Sequence, residues 1–237
     1  MINNFLFPSL SNSKLSFIVF FSGLFVGILI RVSMIFFIEF NFTDGDTSTY
    51  IETARNIIEF GIYGKEQEAT VYRPPIYSFF IASIMFIFGD NIFFVQLIQI
   101  LLSLFIGILI TRISAIHFPN ASFWVFILAM ISPFESVYSV AILSEIMTSL
   151  FLVFAAFFLL TFHGLKKWVF GGISLGLCCL TRDIYLLLGF FIVVVWLIFT
   201  SYNLKSKIIT SMTLLFSIFF IISPWTIRNF YQTESFV

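Results

Sequence analysis

Apolar residues fall along this chain in long blocks separated by short polar stretches. A helix needs roughly 20 mostly apolar residues to cross the hydrocarbon core of a bilayer, and neighbours in a bundle can shield the ends of shorter ones. Seven blocks predict spanning helices: Leu15–Ile38, Phe93–Ile110, Ala121–Phe134, Glu145–Phe162, Trp168–Leu180, Tyr185–Thr200 and Ile208–Ser223. An eighth, Ile76–Phe88, is short, and it is assigned to a helix lying at or dipping into the outer interface.

The segment 39–93 is the longest stretch outside the spans and the most polar. Within it Tyr50, Ile51, Ala54, Ile57 and Ile58 recur at helical spacing, with Glu52, Thr53, Arg55, Asn56 and Glu59 on the other face. This predicts an amphipathic helix suited to lying flat on a membrane surface, started by Asp46 or Thr49 and stopped at Gly61. Pro74 and Pro75, in YRPPIY, pre-set the start of the helix at Ile76.

Composition agrees with this pattern. Sixty per cent of the 237 residues are hydrophobic and 10% charged, against about 25% charged in a soluble domain. One core cannot bury so much Phe, Leu and Ile in water, so lipid is part of the solvent and a soluble domain is excluded. The net charge of zero gives no reason to expect a nucleic-acid partner. Cys178 and Cys179 are neighbours in an apolar stretch and read as small packing residues. His117 and His163 stand alone as loop histidines, without metal-ligand spacing. The first apolar block exceeds a signal-peptide core and has no small-residue cleavage site.

The placement of charge changes the picture more than its total. If Ile76–Phe88 does not span, Lys14, Arg112, Lys166, Lys167, Lys205 and Lys207 all fall on one side, the cytoplasmic one by the positive-inside rule. All twelve carboxylates, from Glu39 to Glu234, then fall on the other. If that block spans, the separation collapses.

Several polar residues at the outer boundary carry candidate chemistry. Asp44 and Asp46 flank Gly45 beyond the first span. Two carboxylates so close can serve as a general base or bind a divalent cation; the plainer reading is a solvated turn with a helix cap. Glu145 begins a span, where an ionisable group either faces a cavity or caps the helix start. Arg73 and Arg228 lie where arginine snorkels to lipid headgroups or grips a phosphate bidentately. Arg182 and Asp183 form a candidate local ion pair, and Arg31 inside the first span needs a partner or a snorkelling route. Trp168, Trp196 and Trp225, near span ends, read as interfacial anchors.

The order of features then resembles a known group. D-x-x-x-Y-x-x-x-A stands at Asp46, Tyr50 and Ala54, followed by Gly61 with Tyr63, RPPIY from Arg73 to Tyr77, FG at Phe88–Gly89, LSE ending at Glu145, TR at Thr181–Arg182 and SPWTIRN from Ser223 to Asn229. This resembles the GT-C membrane glycosyltransferases of the family 39-like group, which includes protein O-mannosyltransferases and aminoarabinose transferases. The resemblance implies an all-α integral membrane fold: one GT-C-like module over 1–237, of about seven transmembrane helices, with surface helices in the outer loop 39–93.

It also implies a reaction. A sugar moves from a polyprenyl-phosphate donor to a lipid, glycan or protein acceptor on the outer face, usually with inversion, here in a bacterial cytoplasmic membrane. Asp46 matches the family's loop aspartate and is expected to be the catalytic base. Asp44 would assist it, through a divalent cation, Mg2+ or Mn2+. Glu145 would contact acceptor or metal, and Arg73, Arg182 and Arg228 would bind the donor phosphate.

Three positions depart from the group's pattern: Thr47 where many relatives carry a second acid, Asp183 where many carry proline, and the end of the chain soon after PWTIRN. The last gives the expectation of a fragment, a split gene product or a minimal member, inactive alone if it lacks essential parts, with a partner subunit as one candidate partner. The competing classes are a lipid-carrier transporter or flippase and a non-catalytic membrane subunit. A transporter would keep ionisable residues at mid-membrane and show repeat symmetry, and neither is seen.

Overall fold

The computed structural model describes residues 2–10, 12–38, 45–66 and 68–234. They form an all-α protein with one two-residue hairpin. In chain order the helices are α1 (Ile2–Leu6), α2 (Ser13–Phe37), α3 (Gly45–Phe60), α4 (Ile76–Phe88), α5 (Ile92–His117), α6 (Ser122–Ile131), α7 (Pro133–Tyr138), α8 (Glu145–Thr161), α9 (Leu165–Cys179), α10 (Leu186–Phe199) and α11 (Leu204–Thr233). Strands β1 (Gly64–Lys65) and β2 (Glu68–Ala69) pair antiparallel between α3 and α4. Among the described residues three helices are long and apolar enough to cross a membrane: α2, α5 and α11 through Gln232. The other apolar helices, α4, α6, α8 and α10, are shorter.

The helices pack as a row. One apolar cluster joins α1, α2, α5 and α6 through Leu6, Phe7, Leu104, Phe126 and Met130. A second joins α8, α9, α10 and α11 through Ala155, Leu175, Leu214 and Ile218. A third joins α3 and α4 to α5 and α8 through Tyr50, Ile51, Tyr77, Ile81, Val95 and Ile146. Phe36, Phe86 and Phe199 on the outside are each more than three-quarters exposed, which only lipid can cover. Lipid offers apolar side chains no reason to leave it for one another, so close backbone approach replaces the hydrophobic drive. Gly172 and Gly176 show this: a Cβ at Gly172 would stand 2.6 Å from Leu214 O, and one at Gly176 would stand 3.0 Å from Ile218 O. The G-x-x-x-G face of α9 thus seats α11.

The block Ala121–Phe134 is not one helix. It breaks at Ser132, and Pro133 opens α7. Proline has no N–H to give the carbonyl four residues back, so Ala129 O is left without its helical donor. Arg31, fully buried in α2, supplies the donors instead: Nη2 to Ala129 O at 3.2 Å, Nη1 to Met130 O at 2.8 Å and Nε to Ser103 Oγ at 2.9 Å. The arginine expected to need a partner or an exit finds its partners at this break.

The amphipathic helix α3 is present and ends as expected, with Gly61 at φ +70° and its N–H bonded to Ile57 O. Protein covers most of its apolar face: Tyr50, Ile51 and Ala54 are buried against α4 and the bundle, while Ile58 stays exposed. The reason is α4 itself, whose Tyr77, Ile81 and Ala82 cover that face while Phe86 and Ile87 turn outward. Thr49 does not cap α3; its hydroxyl donates back to Gly45 O. Trp168 is buried at 4% exposure against Trp196, so it is a core residue and not an interfacial anchor.

Candidate functional site

The starts of α3, α4 and α8 and the end of α9 meet at one end of the bundle. Ile76 N–H donates to Leu180 O at 3.0 Å, which ties RPPIY to the turn carrying Thr181 and Arg182. Thr47 Oγ1 donates to Ile142 O at 3.3 Å, which ties the start of α3 to the loop before α8. That loop is held from below by α5. Gln96 Nε2 donates to Val140 O at 2.8 Å and Gln99 Nε2 to Ala141 O at 2.7 Å. The fully buried Tyr77 completes the set by donating to Gln99 Oε1 at 2.7 Å. Each of these buried polar groups finds a partner, as it must where water is excluded. Glu145 and Arg182 follow directly from backbone fixed in this way.

Two carboxylate–guanidinium pairs stand on this frame. Arg73 Nη2 donates to Asp46 Oδ1, and its guanidinium lies 4.9 Å from the Tyr72 ring and 5.7 Å from the Tyr50 ring. Arg182 Nη2 donates to Glu145 Oε1 at 2.7 Å and Nε to Ser144 Oγ at 3.2 Å. All four side chains are partly exposed. Each pair keeps one buried polar atom without a partner among the described residues: Arg73 Nε in the first and Glu145 Oε2 in the second. An idle donor and an idle acceptor at one polar end are what a ligand with both functions would satisfy.

The expected Arg182–Asp183 pair does not form. Asp183 Oδ1 accepts from Ile184 N–H, while Arg182 reaches across to Glu145. Arg228 comes to the same end by another route. Nη1 donates to Thr70 O at 2.6 Å and Nη2 to Tyr63 O at 3.1 Å, and the guanidinium lies 4.8 Å from the Trp225 ring. It clamps α11 to the hairpin and pairs with no carboxylate among the described residues. Tyr63 links this clamp to the first pair, because its hydroxyl donates to Arg73 O and Pro74 O, both at 3.1 Å. Burial pushes the Tyr63 phenol up to about 12.

Asp44 lies outside the described residues. No three His, Cys, Asp or Glu side chains gather among the described residues, and one Glu145 oxygen is already held by Arg182. Cys178 and Cys179 are unlinked and buried, in keeping with a packing role.

Sequence reading missed the residues that position the site. Gln96 and Gln99, three apart in an apolar block, are a signal in themselves, since an amide there must find a partner. Pro133 inside an expected span marked the break that Arg31 serves.

A sequence model of the family described as dolichyl-phosphate-mannose-protein mannosyltransferase matches residues 72–227, well over half of the chain. The matched part carries Arg73, Glu145 and Arg182, and it ends one residue before Arg228. No curated protein and no solved structure matches the chain.

Proposed function

We infer the reaction from membership: this chain belongs to the dolichyl-phosphate-mannose-protein mannosyltransferase family, one of the GT-C group, and is a membrane glycosyltransferase by family. The reading is that it moves a sugar from a polyprenyl-phosphate donor to a hydroxyl-bearing acceptor. The observation that carries this is the pairing of Asp46 with Arg73 and of Glu145 with Arg182 at one end of the bundle.

Such a transfer needs a base for the acceptor hydroxyl and cations for the departing phosphate. Asp46 accepts the hydroxyl proton, the acceptor oxygen bonds to the anomeric carbon, and the carbon–oxygen bond to phosphate breaks with its electron pair leaving on the phosphate. Arg73 and Arg182 stabilise that charge, and Arg228 holds the loop that presents Arg73. Arg73 and Arg182 are each occupied by a carboxylate before the donor arrives. A phosphate that takes Arg73 therefore releases Asp46, so the base is freed only when there is something to react with. A divalent cation shared by Asp44 and Glu145 would use Glu145 Oε2, which has no partner among the described residues, while Arg182 holds Oε1.

The site end faces outward in a bacterial cytoplasmic membrane, with the lysine-bearing end in the cytoplasm. The support is the charge separation, since Lys166, Lys167, Lys205 and Lys207 lie at the far ends of α8 to α11 from both ion pairs.

The test uses purified full-length protein in vesicles, given a radiolabelled polyprenyl-phosphate sugar and a membrane extract as acceptor. Asp46→Asn should lower transfer by about 10²–10⁴. Undiminished transfer in that variant refutes the base assignment. Donor binding without transfer by the unaltered chain favours the accessory-subunit reading.

A further inference from the structure

The four lysines that mark the far end of the bundle stand on the segments that wall a cavity which the transfer reaction does not use. It has a volume of about 250 Å³ and is lined by His163, Lys167, Trp168, Trp196, Tyr202 and Ser206, among others. Its walls are the loop after α8, the first turn of α9, the end of α10 and the start of α11. Lys167 Nζ sits 4.8 Å from the Trp168 ring and 4.9 Å from the Trp196 ring. The indoles are locked: Trp168 is buried, and Trp196 Nε1 donates to Thr210 Oγ1 at 2.9 Å. Lys207 Nζ donates to Leu197 O at 2.7 Å, and Lys166 and Lys205 are exposed. None of the four pairs with a carboxylate among the described residues.

A second cavity, of about 360 Å³, adjoins the first and shares Lys167, Trp168 and Trp196 with it. The rest of its lining, including Leu159, Phe191 and Val195, is apolar apart from Thr200. A basic, aromatic-walled pocket thus opens onto an apolar groove on the lipid-facing side of α8 and α10. The 17 residues of α8 separate this end from Glu145, about 25 Å at 1.5 Å per residue.

The geometry points to a binding site for an anionic diacyl phospholipid: its phosphate headgroup lies in the pocket among Lys166, Lys167, Lys205 and Lys207, and one acyl chain lies in the groove. The charge complementarity comes from Lys167, which lines the cavity, and from Lys166, Lys205 and Lys207 on the segments beside it, none of which pairs with a carboxylate among the described residues. The first turn of α9 adds backbone N–H groups that have no partner inside the helix. A neutral or zwitterionic headgroup satisfies the groove but leaves the lysines uncompensated. Clustered lysines beside a membrane favour anionic lipid by about 1 kcal/mol each, on the order of fivefold per lysine.

Native mass spectrometry of the full chain, released from detergent with phosphatidylglycerol, phosphatidylcholine or inorganic phosphate, tests the site. Phosphatidylglycerol should be retained in preference to phosphatidylcholine. Lys166→Gln/Lys167→Gln should reduce that preference by roughly 25-fold, and Lys14→Gln, also a lysine loss at this end, should leave it unchanged. Equal retention of the two lipids overturns the proposal, as does an unchanged preference in the double variant. An equal loss in Lys14→Gln reduces the effect to general surface charge and overturns a defined site. Retention of inorganic phosphate with no preference between the lipids makes it a free-phosphate site and overturns the lipid assignment. The double variant should fold, because Lys166 is exposed and Lys167 makes only ring contacts; circular dichroism matching the unaltered chain checks that.

Discussion

Replacing Arg31 by leucine tests how the bundle sustains a proline break inside lipid. In the native structure its guanidinium donates to Ala129 O, Met130 O, Gly27 O and Ser103 Oγ. Gly27 O keeps the helical N–H of residue 31, and the Ser103 hydroxyl can turn to its own helix. Ala129 O and Met130 O have no such reserve, because Pro133 lacks an N–H and no backbone donor reaches either oxygen across the break. Two orphaned buried acceptors cost about 1–3 kcal/mol each, a gross loss of about 2–6 kcal/mol. The guanidinium's own desolvation is relieved and leucine packs in its place, so the net destabilisation should be about 1–4 kcal/mol. Titration with a denaturing detergent, followed by circular dichroism, measures it. Pro133→Ala restores one N–H four residues after Ala129, so Arg31→Leu should cost at least about 1 kcal/mol less in that background. A loss below about 0.5 kcal/mol, or the same loss in both backgrounds, refutes the assignment of Arg31 to the break. Because α7 leads into the loop that precedes Glu145, Arg31→Leu should also reduce transfer while leaving both ion pairs chemically intact.

Other outcomes follow from the same geometry. Gly172→Leu drives a side chain into Leu214 O and Ser217 Cβ, each 2.6 Å from where its own Cβ would stand. It should destabilise the chain by about 3 kcal/mol or more, at or above the upper end of ordinary overpacking, read as a lowered thermal midpoint in detergent. Tyr63→Phe removes the donor to Arg73 O and Pro74 O and should cost about 1–2 kcal/mol at neutral pH in the same denaturation assay. Since burial raises the Tyr63 phenol to about 12 from its ordinary value near 10, the folded state holds that proton more tightly. The native chain therefore keeps this stability below about pH 10 and loses about 2–3 kcal/mol between about pH 10 and 12, a loss that Tyr63→Phe does not share. Stability curves of the native chain and Tyr63→Phe should therefore converge over that range, and parallel curves would contradict the burial argument.

Much of the fold was legible because lipid imposes a coarse rule on sequence. Blocks of apolar residues became helices, Gly61 stopped α3, and Pro74 and Pro75 preceded α4. The α6–α7 break was less visible, because periodicity averages over one proline. What covers α3 was not legible for a different reason: amphipathicity states that a helix has an apolar face but not whether lipid or protein covers it. Here protein does, through Tyr77, Ile81 and Ala82. The candidate site was legible as a set of residue types and not as pairs. Arg182 stood beside Asp183 in sequence, yet its side chain reached Glu145, 37 positions away.

Pairs of that kind depend on backbone ties that leave no mark on spacing. Besides its apolar packing and the Tyr77–Gln99 bond, the segment from α3 to α4 is tied to the bundle through backbone carbonyls at three places: Thr47 to Ile142 O, Ile76 N–H to Leu180 O and Arg228 to Tyr63 O and Thr70 O. In each case one partner is a backbone carbonyl, which every residue possesses, so no residue type at the acceptor end signals the contact. The three ties reach α8's approach loop, α9's last turn and the end of α11, and together they fix where Asp46 and Arg73 stand relative to Glu145 and Arg182. The two ion pairs thus sit on separately anchored pieces, and the side chains that set the frame beneath them, Gln96, Gln99, Tyr77 and Arg31, are all buried, where each must find a partner.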